Sequence, residues 1–206
     1  MKLSARYLLL PSVATLALVL GACASHDSRL TNRSVQYLGT GNTVIDPATK
    51  ENLALKKSYW DGSGISGSPS MVINLSKQTI SFYKSRKLVG VSAISSGREG
   101  YDTPAGSYKI IQKNLHHASN LYGDFVDPEG NVVQANVSAK DPRPPGTSFA
   151  GAPMPYFMRL TNSGVGMHQG FLPGVADSHG CIRMPEKLVK IYWENAPLGT
   201  PVRVIN

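Results

Sequence analysis

The sequence predicts a mainly β-stranded domain with one or two short helices, and three features indicate this fold class. From residue 71 onward, short runs rich in β-branched and aromatic residues alternate with polar turns, a pattern typical of strands. Residues 141–155 contain five prolines and two glycines, so we expect no long regular element there. Only residues 185–195 place apolar side chains at convincing helical spacing.

The first predicted elements are three strands of an antiparallel meander, and a fourth strand follows them. The three strands are Met71–Leu75, Thr79–Tyr83 and Leu88–Ile94. The fourth strand, Ser107–Gln112, is entered through the turn Thr103-Pro104-Ala105-Gly106, where glycine and proline fix the backbone whatever its function. His116 and His117 follow in a polar connection, and we expect both at the surface.

The C-terminal part of the chain contributes the helix and a last strand. Pro185 suits the first turn of a helix, and mostly apolar residues recur at i, i+3, i+4 and i+7 from Leu188 to Asn195. Pro197 ends this helix, and Thr200–Ile205 forms the last strand. Because the helix directly follows residues 178–184, we expect it to pack against that segment and support it.

One segment of the sequence carries the chemistry of a cysteine nucleophile. Ser178-His179-Gly180-Cys181 closely follows an isolated Met167-His168-Gln169-Gly170. A thiol reacts as the thiolate, and an imidazole, with a pKa of roughly 6.5, can accept its proton near neutral pH. Gly180 lets the backbone turn tightly, so that N–H groups of the turn can form an oxyanion hole. A zinc site made of His168, His179 and Cys181 is the competing interpretation, although no cysteine as a fourth ligand and no nearby HxxxH spacing supports it.

The segment from Gly166 to Met184 resembles the signature of the L,D-transpeptidase catalytic domain family, the YkuD type. That signature has an upstream histidine, here His168, followed by Ser/Thr-His-Gly-Cys, here Ser178–Cys181. Ile182-Arg183-Met184 matches a common continuation. The interval between His168 and Ser178 is short for the family, which suggests a trimmed loop beside the site and leaves substrate preference open.

The resemblance extends through about two thirds of the chain, from roughly Met71 to Ile205. Thr103–Tyr108 is similar to the family's TPxGxF/Y segment, and Met154–Leu160 is similar to the strand that precedes its histidine. The implied fold is an L,D-transpeptidase (YkuD-like) domain, a β-sandwich or mixed-sheet arrangement. No cofactor and no metal are implied.

The resemblance also implies a role for each residue of the segment. Cys181 is the nucleophile, and His168 is the general base and then the general acid, held by the carbonyl of Gln169. His179, Gly180 and the Cys181 N–H support the oxyanion. The residues expected to contact or shape the substrate site are Ser178, Arg183, Gln169 and Met167. For Arg183, a bidentate pair with a substrate carboxylate and a structural ion pair are both open interpretations.

The implied reaction begins with a peptidoglycan tetrapeptide, from which Cys181 displaces the terminal D-Ala to leave a thioester. A stem-peptide amine would then give a 3,3 cross-link, and a lysine of a wall-attached lipoprotein would give protein attachment. Water would make the enzyme an L,D-carboxypeptidase or amidase. A non-catalytic wall-binding lipoprotein and a metal-dependent hydrolase are the alternatives from other classes.

We expect residues 1–23 to be a lipoprotein signal peptide rather than part of the fold. Lys2 and Arg6 precede a mainly apolar stretch, Tyr7–Leu20, that is shorter than a membrane-spanning helix requires and matches a signal-peptide core. Leu20-Gly21-Ala22-Cys23 reads as a lipobox, with Cys23 as the lipidated residue; the alternative is an ordinary signal peptide with an incidental cysteine. No Asp follows Cys23 directly, so we expect anchoring in the outer membrane of a bacterium, facing the periplasm.

Residues 24–70 are predicted to form a flexible tether to a catalytic domain that spans 71–206. They are polar and contain glycine- and serine-rich stretches, a composition that favours flexible chain. Four residues interrupt this pattern and predict a short element that packs back on the domain: Leu53, Leu55, Tyr59 and Trp60.

Cysteine usage and charge bear on the compartment and the partners. If Cys23 carries the lipid, Cys181 is a lone thiol in an oxidising compartment; a Cys23–Cys181 disulfide would require the lipobox to be fortuitous. The chain carries a net charge of +8, and loss of Lys2 and Arg6 leaves 19 basic against 13 acidic residues, or +6. Export excludes nucleic acid as a partner, so anionic wall polymer and anionic lipid headgroups are the expected counterparts, with the lipid anchor as the membrane contact.

Overall fold

The computed structural model describes residues 58–206. The predicted signal peptide, Cys23 and residues 24–57 of the predicted tether, including Leu53 and Leu55, lie outside the described residues. Two sheets and one helix make up the described part of the chain. In chain order the elements are β1 (Tyr59–Trp60), β2 (Pro69–Asn74), β3 (Thr79–Lys84), β4 (Lys87–Ala93), β5 (Gly106–Lys109), β6 (Gln112–Val126), β7 (Val132–Ser138), β8 (Ser148–Arg159), β9 (Gly166–Gln169), β10 (Ile182–Met184), α1 (Glu186–Asn195) and β11 (Pro201–Ile205).

The first sheet has six strands in the order β1-β4-β3-β2-β11-β5. Strands β2, β3 and β4 pair antiparallel in sequence order, which confirms the predicted meander. The last strand, β11, was also predicted; it inserts beside β2 in parallel and beside β5 in antiparallel orientation. The C-terminal strand therefore lies inside the sheet, with partners on both edges.

The second sheet has five strands in the order β10-β9-β8-β6-β7. Strands β9 and β10 pair parallel, whereas β8 pairs antiparallel with β6 and with β9. Both sheets are thus mixed, and the predicted fold class, mainly β with a short helix, is confirmed.

A single hydrophobic cluster joins both sheets to the helix. The first sheet contributes inward-facing residues such as Ile73 and Phe82, and the second contributes Met158 and Met167. Each of these side chains is 0–1% exposed. Because strand side chains alternate between faces, the opposite face of the second sheet is left to carry polar residues.

The helix α1 follows Pro185 directly, as predicted. Its buried face consists of Leu188, Val189 and Tyr192, with Val189 rather than the predicted Ile191 fully enclosed. Lys113 of β6 donates hydrogen bonds to the carbonyls of Trp193 (2.5 Å) and Ala196 (3.0 Å). A cation on the terminal carbonyls stabilises a helix end, so the helix is attached to the second sheet as well as to the core.

The expectation that residues 141–155 hold no long regular element is wrong for their second half. Strand β8 begins at Ser148 and includes both Pro153 and Pro155. Two prolines at alternate positions direct their ring nitrogens to the same edge of a strand. Beside β8, β9 pairs only with Met158 and Arg159, so the β9 side of the strand has no partner at the two prolines.

The predicted strand Ser107–Gln112 is divided in two, and the polar connection after it is also a strand. The chain passes from the first sheet to the second at Ile110. This residue is 1% exposed and donates its N–H to the Thr200 carbonyl (3.0 Å). His116 and His117 lie within the fifteen-residue β6, which pairs with β8. The sequence lacked a strand signal there because much of β6 is solvent-exposed and polar.

Residues 58–70, which the sequence places in the tether, contact the domain. Strand β1 pairs with β4, and the Trp60 ring lies 5.2 Å from Phe82 and 5.9 Å from Tyr192 between ring centroids. Tyr59 and Trp60 therefore form the short element that their apolar character predicted. Within residues 58–206, no helix has the length and hydrophobicity needed to cross a membrane.

Candidate active site

The turn that presents Cys181, residues 178–181, is held together by its own serine. Ser178 Oγ accepts a hydrogen bond from the Gly180 N–H (3.1 Å) and donates one to the Cys181 carbonyl. Gly180 has φ of +107°, a conformation that residues with a side chain rarely adopt. The predicted role of Ser178 in shaping the turn matches these contacts, whereas the Gly180 N–H is engaged inside the turn.

A second segment, residues 95–103, packs along this turn. Thr103 Oγ1 donates to the Gly180 carbonyl (2.8 Å) and accepts from the Gly97 N–H (2.9 Å). Ser178 exchanges backbone hydrogen bonds with the same segment, donating to Ser96 (2.9 Å) and accepting from Arg98 (3.0 Å). Thr103, which the sequence offered only as part of a turn motif, therefore ties the cysteine turn to the first sheet.

The parallel pairing of β9 and β10 places His168 and Cys181 on one face. Met167 and Ile182 are paired in register and both point into the core. Adjacent residues along a strand face the other way, so His168 and Cys181, one position after and one before this pair, share the opposite face. Residues on neighbouring strands that differ by two positions are diagonal neighbours. Both side chains line the same cavity.

His168 is oriented by the backbone. Its Nδ1 lies 2.7 Å from the Gln169 carbonyl oxygen, which can only accept, so Nδ1 carries the proton and Nε2 is the basic nitrogen. The side chain is 3% exposed, and burial, together with the nearby Arg183 and His117, lowers the pKa of His168 to about 4, against the opposing effect of the Gln169 carbonyl. The imidazole is therefore neutral, and a proton acceptor, at neutral pH.

Cys181 is a protonated thiol in the resting site. Its Sγ donates to the Gly164 carbonyl (3.6 Å). Burial raises the pKa of the Cys181 thiol, although the Gly166 N–H and the guanidinium groups of Arg183 and Arg159 act in the opposite direction. Together with the low pKa of His168, this favours a neutral thiol–imidazole pair before substrate binds.

His179 lies in a stack of aromatic rings beside the cysteine. Its ring is 4.2 Å from that of Tyr122 and 4.6 Å from that of Tyr101, between centroids. The Arg98 guanidinium donates to His179 Nε2 (2.9 Å), which places the proton on Nδ1, a buried atom without a hydrogen-bond partner. Burial and then Arg98 and Arg183 lower the pKa of His179 to about 4, so this ring is also neutral.

The remaining predicted residues divide between the core and the site. Met167 is fully buried in the core, so it does not reach the cavity, and Gln169 acts through its carbonyl oxygen. Arg183 is 3% exposed, and its Nη1 lies 3.2 Å from Asp177 Oδ2 while its Nη2 donates to the Asp177 carbonyl (2.7 Å). Of the two interpretations of Arg183, the structure favours the internal ion pair.

The cavity beside Cys181 has a volume of about 340 Å³. Its wall includes residues that the sequence did not assign to the site, among them His117 and Arg159. The His117 ring stacks on Phe157 at 4.2 Å, and burial followed by the charge of Arg159 lowers the pKa of His117. Because β6 has no hydrophobic alternation around His117, only the pairing of β6 with β8 brings that residue to the cavity.

The alternative of a zinc site finds no ligand set in the described part of the chain. Among residues 58–206, no three His, Cys, Asp or Glu side chains lie close enough together to hold a metal ion. His168, His179 and Cys181 are each engaged with groups other than one another. The site therefore has the arrangement of a thiol beside a fixed neutral imidazole, which can perform nucleophilic acyl transfer.

Comparison with known proteins agrees with this arrangement. Residues 68–204 match the YkuD family, the L,D-transpeptidase catalytic domain, and the chain belongs to that family. Similar proteins include the probable L,D-transpeptidase YbiS of Escherichia coli (26% identity over 176 residues, 82% of this chain and 52% of YbiS). Another is the probable L,D-transpeptidase 3 of Mycobacterium tuberculosis (27% identity over 123 residues, 56% of this chain and 38% of that protein).

The fold is also that of solved members of the family. An L,D-transpeptidase from Mycobacterium smegmatis superposes with a TM-score of 0.51 at 17% sequence identity, over 68% of this chain and 59% of that one. The chain spans 38–52% of the length of the two curated relatives. The likeness therefore concerns the catalytic domain and its fold.

Proposed function

We propose that the protein is a peptidoglycan L,D-transpeptidase that works through a Cys181 thioester. The observation that carries this proposal is the hydrogen bond from His168 Nδ1 to the Gln169 carbonyl, which leaves Nε2 as a base on the face that carries Cys181. Membership of the L,D-transpeptidase family supplies the substrate class, the stem peptides of peptidoglycan.

The proposed reaction has two halves. His168 Nε2 takes the thiol proton as Cys181 Sγ forms a bond to the scissile carbonyl carbon of a tetrapeptide stem. The Cys181 N–H and the adjoining turn stabilise the oxyanion. The carbonyl re-forms, the bond to the terminal D-amino acid breaks, and His168 returns the proton to the leaving amine. An acceptor amine then attacks the thioester carbonyl and gives a proton to His168. The bond from that carbonyl to Cys181 Sγ breaks, and His168 returns the proton to the sulfur, which regenerates the thiol.

A neutral thiol–imidazole pair suits this sequence of proton transfers. Because the pKa of Cys181 is raised and that of His168 is lowered, the thiol keeps its proton until the substrate carbonyl is in place. Proton transfer concerted with attack avoids a standing thiolate, which is the form that oxidises readily. This would protect a lone thiol in an oxidising compartment.

Incubation of the purified protein with a tetrapeptide muropeptide, with and without an amine acceptor, tests the proposal by mass spectrometry. We expect a thioester adduct on Cys181 and loss of D-Ala, followed by a 3,3-linked dimer when a second stem is present. A lysine-bearing peptide from a wall-attached lipoprotein, or water alone, would give the other two products. Absence of any adduct from the wild-type protein would refute the assignment.

Replacement of Cys181 with Ala supplies the matched control. The variant should form neither the muropeptide adduct nor an adduct with a carbapenem, which we expect to acylate the wild-type thiol. An intact-mass measurement detects both adducts directly. Turnover by Cys181→Ala would contradict the role of Cys181.

We further propose that Cys23 carries a lipid anchor that holds the domain at the periplasmic face of the outer membrane. The lipobox Leu20-Gly21-Ala22-Cys23 supports this proposal. Two acyl chains on one residue give stable membrane attachment. Metabolic labelling with a fatty acid, compared between wild type and Cys23→Ala, tests it; equal labelling of the two proteins would contradict it.

A further inference from the structure

The wall of the cavity carries a cation that has no acidic partner. Among residues 58–206, the side chains that line the cavity include Arg159 but no Asp or Glu, and no carboxylate forms an ion pair with Arg159. Arg183 differs, because it is buried against Asp177. A partly exposed guanidinium that faces a cavity without a counter-ion is suited to an anionic ligand.

The Arg159 side chain is held in position from two sides. Its Nε donates to Gln112 Oε1 (2.6 Å), and its guanidinium carbon lies 5.1 Å from the centroid of the Phe157 ring. Both contacts leave the two terminal nitrogens, Nη1 and Nη2, as the remaining donors of the fork. A guanidinium fixed in this way loses little conformational entropy when it binds a carboxylate.

The sheet aligns Arg159 with the nucleophile. Arg159 pairs with Gln112 on one side and with Gly166 on the other. Extending the β9–β10 register by one residue places Gly166 beside Cys181, in agreement with the hydrogen bond from the Gly166 N–H to the thiol. Residues aligned across neighbouring strands share a face, and two strand spacings separate the backbones of Arg159 and Cys181 by about 10 Å.

The position between Arg159 and Cys181 is occupied by glycine residues. Gly166 has no side chain to stand between them, and a Cβ there would meet the Phe157 ring at 2.5 Å. A Cβ at Gly164, whose carbonyl accepts the Cys181 thiol, would lie 3.6 Å from Arg159 Nη1. The guanidinium and the thiol therefore flank the same short loop.

We propose that Arg159 is a specificity-determining residue that binds a carboxylate of the acyl donor while its scissile carbonyl lies at Cys181. The inference rests on the proposed function and names which chemical group of the donor the site recognises. In a tetrapeptide stem that ends in a diamino acid and D-Ala, two carboxylates come near the scissile carbonyl. One belongs to the leaving D-Ala and the other to the side chain of the diamino acid.

The test compares three donors: the free tetrapeptide, its D-Ala carboxamide, and the form amidated on the diamino-acid side chain. Acylation of Cys181 is followed by mass spectrometry for wild type, Arg159→Gln and Arg159→Lys. Arg203→Gln is the control, because it removes the same charge from an exposed position on β11. Thermal unfolding of each variant checks that the fold is retained.

We expect the wild-type protein to prefer the free tetrapeptide to one of the two amides by roughly 10- to 100-fold in kcat/KM, the range typical of a charge-assisted hydrogen bond. Arg159→Gln should lose this preference through a raised KM for the free tetrapeptide, Arg159→Lys should keep part of it, and Arg203→Gln should keep all of it. The amide that wild type discriminates against identifies the carboxylate that is bound.

A role for Arg159 through the thiol alone gives a different result. The charge of Arg159 acts on Cys181, so its loss would then lower the rate with all three donors equally and leave their ratios unchanged. Unchanged ratios in Arg159→Gln would overturn the inference.

Binding to the Cys181→Ala protein separates this inference from the proposed function. Titration calorimetry with the three donors measures recognition without acylation. It compares the Cys181→Ala protein with the double variant Cys181→Ala/Arg159→Gln. If wild type forms no adduct but Cys181→Ala still binds the free tetrapeptide in an Arg159-dependent way, the proposed function fails and the inference stands. If all three donors bind both proteins equally, the inference fails.

Discussion

At the scale of single residues, the site combines the raised pKa of the Cys181 thiol with the lowered pKa values of His168 and His179. Burial is the first cause in all three cases, because desolvation disfavours the charged form of each group. His168 and His179 are both neutral, yet different partners fix their tautomers: a carbonyl for His168 and the Arg98 guanidinium for His179. His168 thus offers a base, and His179 cannot offer one at its arginine-bound nitrogen.

The raised pKa of Cys181 predicts slow alkylation of the free enzyme at neutral pH. Reaction with iodoacetamide, mapped to the Cys181 peptide, should increase with pH through a midpoint above about 8.5, the value for a free thiol. Glutathione in the same solution provides the reference. A midpoint well below that of glutathione would contradict the neutral-pair description and indicate a resting thiolate–imidazolium pair.

The lowered pKa of His168 predicts that acid destabilises the fold. Between pH 6.5 and about 4 the unfolded chain binds a proton that folded His168 does not, so the free energy of unfolding falls as pH falls through this window. The full effect, reached near pH 4, is about 3 kcal/mol for this residue. Above pH 6.5 the imidazole is neutral in both states and contributes no pH dependence.

Urea unfolding of wild type and His168→Gln across this pH window measures that effect. The variant should have a flatter pH dependence than wild type. His179 adds a slope of the same sign, so the variant should still lose some stability in acid. An unchanged slope in His168→Gln would contradict the lowered pKa.

At the scale of elements, the cysteine turn depends on a residue from a distant loop. Thr103 links Gly97 to Gly180 through one hydroxyl group and is 5% exposed. The turn itself follows β9 only after a loop, and Ser95 and Gly97 form isolated bridges to Arg183 and Ser178. The loop that precedes β5 therefore helps β10 to position Cys181.

Replacement of Thr103 with Val should destabilise the protein and impair acylation. Valine has nearly the same shape but leaves the Gly97 N–H and the Gly180 carbonyl unpaired, which we expect to cost roughly 2–4 kcal/mol in all. Thr103→Ser, which retains the hydroxyl, should stay close to wild type. Chemical denaturation and the rate of Cys181 acylation measure both effects; equal behaviour of the two variants would contradict the role of the hydroxyl.

At the scale of the whole molecule, the two sheets and the helix share one core, and the N-terminal strand β1 completes it. Trp60 packs against Phe82 of the first sheet and Tyr192 of the helix. The folded domain thus includes residues on the N-terminal side of position 71. Any anchor at Cys23 would be joined to the domain through residues that precede Ser58 rather than through the whole of 24–70.

Trp60→Ala should therefore reduce the stability of the whole domain. Loss of a half-buried indole between two core rings should lower the free energy of unfolding by about 2 kcal/mol. Val132→Ala is the control, because that side chain is 52% exposed on β7. A Trp60→Ala protein as stable as the control would show that β1 is dispensable to the domain.

Much of the fold follows from local patterns in the sequence. The meander β2–β4 shows its apolar runs and polar turns directly, and Pro185 and the spacing after it identify α1. Strands β6 and β8 cannot be identified from a local pattern, because they pair with each other and do not show regularly alternating side chains. Pro153 and Pro155 indicate a loop in the sequence, but they are compatible with β8 because no residue of β9 pairs with them.

The sequence by itself determined the candidate chemistry that we propose for this protein, and the tertiary structure decided the geometry of the site. His168 and Ser178–Cys181 were identifiable as candidates because the proposed nucleophile, its proposed base and the turn lie close together in the chain. Thr103, His117 and Arg159 reach the site through strand pairing and loop packing between residues far apart in sequence. The same long-range packing pairs Arg183 with Asp177 and leaves Arg159 as the cation that faces the cavity.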